Sequence, residues 1–381
     1  MSRREQINRT VFLKNIIREY YARKPLEEPS MLHKREIALE SLEDGVYIRH
    51  LAFPYMNLLY EYITKQKTPL HLYYSSALYT TPDASKMEDK GWEGSELIFD
   101  IDADKYPGCE KKIWICPSTG EIYQEEVESC RMGGKPVEYS FLDWTCIEKA
   151  WQDVLSLVEI LTLEYGFSNI KVYFSGNRGF HVRVLDEQVY LLSREARRAI
   201  ADYVSCEGLD RDRMFPSLRG SILFTQSEYG LRRRVLEKAR VKGIVVKKEV
   251  DKSRKPIIYE AIDSTYLDEL LNEVCIKIDK AVTMDTSRLS RFGNSLNMKA
   301  GLRVREVSLN TDIHGINYSY FSPFKGFIKV KSLVTGEFNA LDSKVSLSRG
   351  ETIKLEAHIG LYLVIKQLVY PVDYSELEVK L

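Results

Sequence analysis

The stretch "CIEKAWQDVLSLVEILTLEYGF", followed two residues later by "IKVYFSGNRGFHVRVL", constrains the fold more than any other part of the chain. In the first part Ile147, Trp151, Val154, Val158, Leu161 and Tyr165 share one helical face, and Gly166 is a stop signal. In the second, two β-type runs are joined through Ser175, Gly176, Asn177, Arg178 and Gly179, which reads as strand, glycine-punctuated turn, strand. The same alternation recurs. "EQINRTVFLKNIIREYYARK" spaces Ile7, Val11, Ile16 and Tyr20 as an amphipathic helix, and "REIALESLEDGVYIRHLAF" has β runs on both sides of Glu43-Asp44-Gly45. That Asp-Gly signal predicts a hairpin with Arg49 on its second strand. "FIKVKSLVTGEFNAL" reads as β runs with a glycine turn, and "HIGLYLVIKQLVY" as an apolar helix. Helices mixed with hairpins, without internal repeats, predict an α+β core rather than a regular strand–helix–strand array.

At 381 residues with 44% hydrophobic composition, the chain can bury a substantial core. It is read as a single domain, 1–381, carrying two insertions. The first, about 104–145, is rich in Gly, Pro, Glu and Cys and lacks periodicity; the second, about 207–273, is charged and irregular. No run approaches the length of a membrane span, and "MSRREQINRT" lacks the apolar core of a secretory signal, so a cytoplasmic, intracellular protein is expected. Lys plus Arg equals Asp plus Glu at 55 each, so any nucleic-acid contact rests on local patches. Six cysteines are too few for a disulfide scaffold, yet Cys109, Cys116, Cys130 and Cys146 fall in one segment.

"IFDIDAD" ends an apolar strand on carboxylates. Alternation along a strand puts Asp100 and Asp102 on one face, about 7 Å apart at Cα, with Ile101 facing the core. Adjacent carboxylates repel, and hard cations such as Mg²⁺ or Mn²⁺ resolve that repulsion while keeping coordination positions for phosphate and water. The pair reads either as a two-metal platform or as carboxylates that merely solvate the end of the strand. Asp104 reads as a residue that solvates the strand end, and Asp285, preceded by Val282 and Thr283 in a β-like run, is a candidate third ligand. In "SGNRGFH" the glycines permit close backbone approach, Ser175 can donate, Arg178 offers a planar fork, and His181 can donate a further hydrogen bond. These are triphosphate-binding parts, although an ordinary hairpin turn would use the same glycines.

"ELIFDIDAD", "YFSGNRGFHVRV" and "VTMDTSRLSRFGNSLNMKAGL", in that order and with their flanking context from about residue 35 to 305, resemble the small catalytic subunit of archaeal and eukaryotic DNA primase. The resemblance implies a primase-type mixed α/β core with a cysteine-containing insertion and a helical, charged one. It also implies template-directed synthesis of short primers from nucleoside triphosphates on single-stranded DNA, a large-subunit partner, and a nucleoid-associated location. It assigns Asp100, Asp102 and Asp285 to the Mg²⁺- or Mn²⁺-binding triad, Ser175, Arg178 and His181 to triphosphate contact, and Arg49 and Lys299 to the surroundings of the incoming nucleotide. Two departures stand out. The family commonly has His-Gly where this chain has Asn297-Met298, and its insertion carries a zinc knuckle, whereas Thr119 and Gly133 occupy the places of second ligands here. Cys109, Cys116, Cys130 and Cys146 are then zinc ligands, disulfide partners with Cys116 joined to Cys130, or free thiols without a shared role.

The basic run from Leu231 to Pro256 reads either as a contact for template or primer backbone or as a solvated charged surface. Three other activities are compatible with parts of this pattern. A related repair or gap-filling polymerase would use the same site, a non-catalytic nucleic-acid-binding assembly subunit would have lost it, and a phosphoesterase would need the carboxylates but not the turn.

Overall fold

The computed structural model describes residues 3–116, 119–225, 227–252 and 255–381, apart from the side chains of 3–8, 249–252 and 255–257. The helix predicted from residue 146 runs Trp144–Leu163 with Ile147, Trp151, Val154, Val158 and Leu161 buried, and Gly166 adopts φ +76° just past its end. It lies on an antiparallel sheet whose order is Arg305–Glu306, Ile170–Phe174, Gly179–Val184, Leu97–Asp102. Trp151 meets Phe180 of that sheet with ring centroids 5.2 Å apart. A second sheet is ordered Leu289–Arg291, Pro69–Ser75, Ile37–Ser41, Tyr47–Leu51. Its last pair is the Asp44-Gly45 hairpin, with Gly45 at φ +68° and Arg49 on the second strand. Every strand pair among the described residues is antiparallel, which is the physical content of the α+β assignment.

The N-terminal helix, Arg3–Ala22, faces the core differently from the expectation. Phe12, Leu13, Ile16, Ile17, Tyr20 and Tyr21 are buried and Val11 is exposed, because adjacent pairs repeating every four residues make a broader stripe than the one through Val11. The C-terminal part is built on the strand Phe324–Ser332, which pairs with Thr352–Glu356, Val369–Asp373 and Leu377–Val379. The helix Ala357–Ile365 is apolar on all sides and buried on that sheet, and no helix among the described residues is long and apolar enough to cross a membrane.

Both insertions are more ordered than their composition suggests. In the first, Lys111–Ile115 pairs with Ile122–Tyr123 and Val137–Phe141. Its four cysteines form the disulfides Cys109–Cys146 and Cys116–Cys130. The zinc assignment to Cys109, Cys116, Cys130 and Cys146 is therefore corrected: sulfurs joined to one another have no thiolate to offer a metal. The Cys116–Cys130 alternative is the pairing found. In the second, a four-stranded sheet and the helices Gly230–Val241 and Leu267–Val274 enclose a separate core of Phe215, Ile222, Phe224, Val235, Leu236 and Leu270. Cys206–Cys275 joins the two ends of this segment.

The first half of the basic run is ion-paired on folding. Arg232 pairs with Glu228, Arg233 with Glu237 and Glu159, Arg234 with Glu164, Lys238 with Glu273, Arg240 with Glu260, and Lys242 with Glu269. Its first half is thus a self-neutralised surface. Of the remainder, Ser253 and Arg254 and the side chains of 249–252, 255 and 256 lie outside what is described.

Candidate active site

Alternation along Leu97–Asp102 sends Leu97, Phe99 and Ile101 into the core, while Ile98, Asp100 and Asp102 line a cavity of about 240 Å³. The neighbouring strand sets its residues opposite them, with Gly179 across from Asp102 and His181 across from Asp100. Glycine is required at 179, since a Cβ there would run into the Ile101 carbonyl and sit 2.9 Å from the Asp102 carboxylate. The turn is held on all sides. Ser175 N donates to Gly179 O at 2.8 Å, Gly179 N donates to Ser175 Oγ at 3.2 Å, and Ala103 N donates to Arg178 O at 2.8 Å. Ser175, Arg178, His181 and Lys299 all line the same cavity as Asp100 and Asp102.

Both carboxyls of the pair hold their protons more tightly than free aspartate does. Burial raises the Asp100 carboxyl to about 6, with Arg288 opposing and Asp279 adding to the rise. Burial raises Asp102 to about 7, reinforced by Asp100 and then Asp104. Asp100 Oδ1 is buried and has no hydrogen-bond partner among the described residues. Two crowded oxygen donors, one of them unpartnered, fit a hard divalent cation. His181 is held neutral, its pKa lowered to about 3 by burial and then by Arg183, so the 3.9 Å approach of its Nε2 to Asp100 Oδ1 is not an ion pair. It is available as a hydrogen-bonding group.

Two other expected residues, Arg49 and Asp285, do not line that cavity. Arg49 grips the buried Glu36 at 2.9 and 3.3 Å and is not part of the cavity wall. Asp285 follows a short helix, Lys280–Met284, where a β-like run was expected, and its Oδ1 accepts from Ser287 N at 2.8 Å and Ser287 Oγ at 2.7 Å. That helix packs on the carboxylate strand through Asp279 N, which donates to Asp100 O at 2.9 Å. No group of three or more His, Cys, Asp or Glu side chains suited to a metal occurs among the described residues. Asp104 is not merely solvated, since it holds Arg178 Nη1 at 3.0 Å. Asn297, the departure from the family pattern, is a buried clamp: its Nδ2 donates to Ser175 O at 2.9 Å and its Oδ1 accepts from Lys299 N at 3.2 Å.

Tyr73, Asn177, Arg288 and Arg291 also line the cavity and were not anticipated. Arg291 lies over the Tyr73 ring at 4.8 Å. The two arginines stand three residues apart inside "VTMDTSRLSRFGNSL", a signal that was visible beside Asp285.

The sequence matches the family described as DNA primase small subunit over residues 145–309, and a primase C-terminal domain family over 327–369. It is 44% identical to the DNA primase small subunit PriS of Staphylothermus marinus over the full length of both proteins. It is 34% identical to the PriS proteins of Sulfurisphaera tokodaii, over 93% of this chain and 95% of the relative, and of Saccharolobus solfataricus, over 94% of each. Full-length identity of this order, over the segments that carry the carboxylate pair and the glycine turn, establishes that the chain belongs to the archaeal-type DNA primase small-subunit family.

Proposed function

We propose that this chain is the catalytic subunit of a DNA primase that joins nucleoside triphosphates into short primers along a single-stranded DNA template, working inside the cell with a primase large subunit. The observation that carries this reading is that the Asp100–Asp102 pair and the "SGNRGFH" turn face one cavity from two hydrogen-bonded strands. Carboxylates for cations and donors for phosphates thus stand a strand apart. Asp100 and Asp102, with Asp285 from the adjoining segment, would hold Mg²⁺ or Mn²⁺, which when bound supplies charge neutralisation at the phosphates and acidifies the attacking hydroxyl.

The chain's own groups orient the reaction. Arg178, kept in line by Asp104, and Lys299 hold the phosphates, Ser175 Oγ and neutral His181 donate hydrogen bonds, and the rigid turn fixes them relative to the carboxylates. The 3′-oxygen bonds to the α-phosphorus, its proton passing to solvent. The bond from that phosphorus to the α–β bridging oxygen breaks, and its electron pair leaves on pyrophosphate. Incubation with labelled nucleotide, single-stranded template and Mn²⁺ tests the reading. New chains begun without a primer are expected; extension of a supplied primer alone would indicate a gap-filling polymerase, and no incorporation a non-catalytic subunit.

A further inference from the structure

A second cavity, about 360 Å³, shares Asn177, Arg178 and Lys299 with the first and extends toward the C-terminal helix Ala357–Ile365. Leu142, Tyr318, Tyr362 and Ile365 give it apolar walls. Its charged groups are Arg178, Lys299 and Lys366, opposed by Glu138. Arg178 is held by Asp104 at 3.0 Å, whereas neither Lys299 nor Lys366 has an ion-pair partner among the described residues. The Lys366 ammonium instead lies 5.4 Å from the Tyr362 ring centroid. Burial lowers the Lys366 pKa, and Arg178 lowers it further, so these cations sense one another. Like charges collected against apolar walls are unfavourable unless an anion joins them, and a wall of low polarity strengthens each contact such an anion makes.

We propose that this second cavity extends the phosphate site, with Lys366 as a further contact, beside the Arg178 and Lys299 already assigned, for the terminal phosphates of the nucleotide and then for the pyrophosphate released from it. The assignment rests on the nucleotidyl-transfer reading above. It gives the leaving group a route away from the carboxylates, past the Arg178 and Lys299 shared by both cavities.

The test is calorimetric titration of the full chain with inorganic pyrophosphate in the presence of a chelator, so that the carboxylate pair takes no part. Lys366→Ala should weaken pyrophosphate binding roughly tenfold, the loss of one charge-assisted contact, and Lys366→Arg should restore most of it. Lys366→Gln, nearly as long but neutral, should behave as the alanine variant does, which separates charge from packing. Product inhibition by pyrophosphate should weaken by the same factor. Unchanged pyrophosphate affinity in both neutral variants would overturn the subsite, as would loss in Lys366→Arg equal to that in Lys366→Gln. Mn²⁺ binding read by electron paramagnetic resonance is the separate check on the reaction itself. If Asp102→Asn still binds Mn²⁺ as the unmodified chain does, the catalytic reading fails, whatever Lys366 does.

Discussion

Replacing Asp102 by asparagine should stabilise the protein at pH 8, provided a chelator keeps metal away. Asp100 and Asp102 sit two residues apart on one strand face, about 7 Å at Cα, and both are largely buried. Two unit charges at that separation repel by about 2 kcal/mol at an effective dielectric constant of roughly 20. Asparagine has the same shape and removes one of them. Unfolding entropy of roughly 2 cal/mol/K per residue over 381 residues makes this a Tm gain of about 2–3 °C. The effect has a definite pH dependence. Folded-state values of about 6 and about 7 lie above those of an unfolded aspartate, so the folded chain keeps protons that the unfolded chain has lost. Stability contributed by the protonated pair is present below the unfolded value and is lost as pH rises through the folded values. The Asp102→Asn gain should therefore be full at pH 8 and absent at pH 4 in scanning calorimetry. Adding Mn²⁺ at pH 8 should raise the Tm of the unmodified chain and leave that of the variant unchanged, reversing their order. A variant no more stable than the unmodified chain at pH 8, or a gain that persists at pH 4, would refute the reasoning.

Asn297→His, which brings back the family's residue, should lower rather than raise nucleotide affinity, because it breaks the clamp between Ser175 O and Lys299 N beside Gly176, whose missing Cβ would sit 2.9 Å from Asn297 Cβ; a stability loss of about 1–3 kcal/mol by denaturant titration is expected. Asp285→Ala should abolish nucleotide incorporation, while Asp279→Ala, which removes a helix cap, should cost about 1 kcal/mol of stability and leave incorporation within a few-fold; the opposite result would transfer the third-carboxylate role to Asp279. Arg178→Ala should raise the KM for nucleotide roughly ten- to a hundredfold, and a change in template affinity with KM unaltered would remove the turn from the triphosphate. Cys206→Ser with Cys275→Ser should lower stability by up to about 4 kcal/mol, the closure entropy for a separation of 69 residues, measured as a lower denaturant midpoint under non-reducing conditions.

The amino-acid sequence by itself determined what depends on local periodicity. The alternation in Leu97–Asp102 decided that Asp100 and Asp102 leave the core together, and the apolar spacing from Ile147 to Leu161 decided the face of the helix that covers their sheet. The glycines of "SGNRGFH" announced a turn tight enough for Gly179 to pass against the Asp102 strand. The charged segment near 207–273 was legible as charged but not as folded, because its short β runs and ion pairs gain meaning only around their own core. Tertiary structure alone decided that Cys109 pairs with Cys146 and Cys206 with Cys275, that Arg49 serves the buried Glu36, and that Asn297 clamps the turn. It alone brought Arg178, Lys299 and Lys366 around one cavity. The physical reason is distance along the chain. A strand's face repeats every two residues and a helix's every three or four, so neighbours carry that information, whereas a salt bridge, a disulfide or a shared cavity depends on how whole sheets and helices pack.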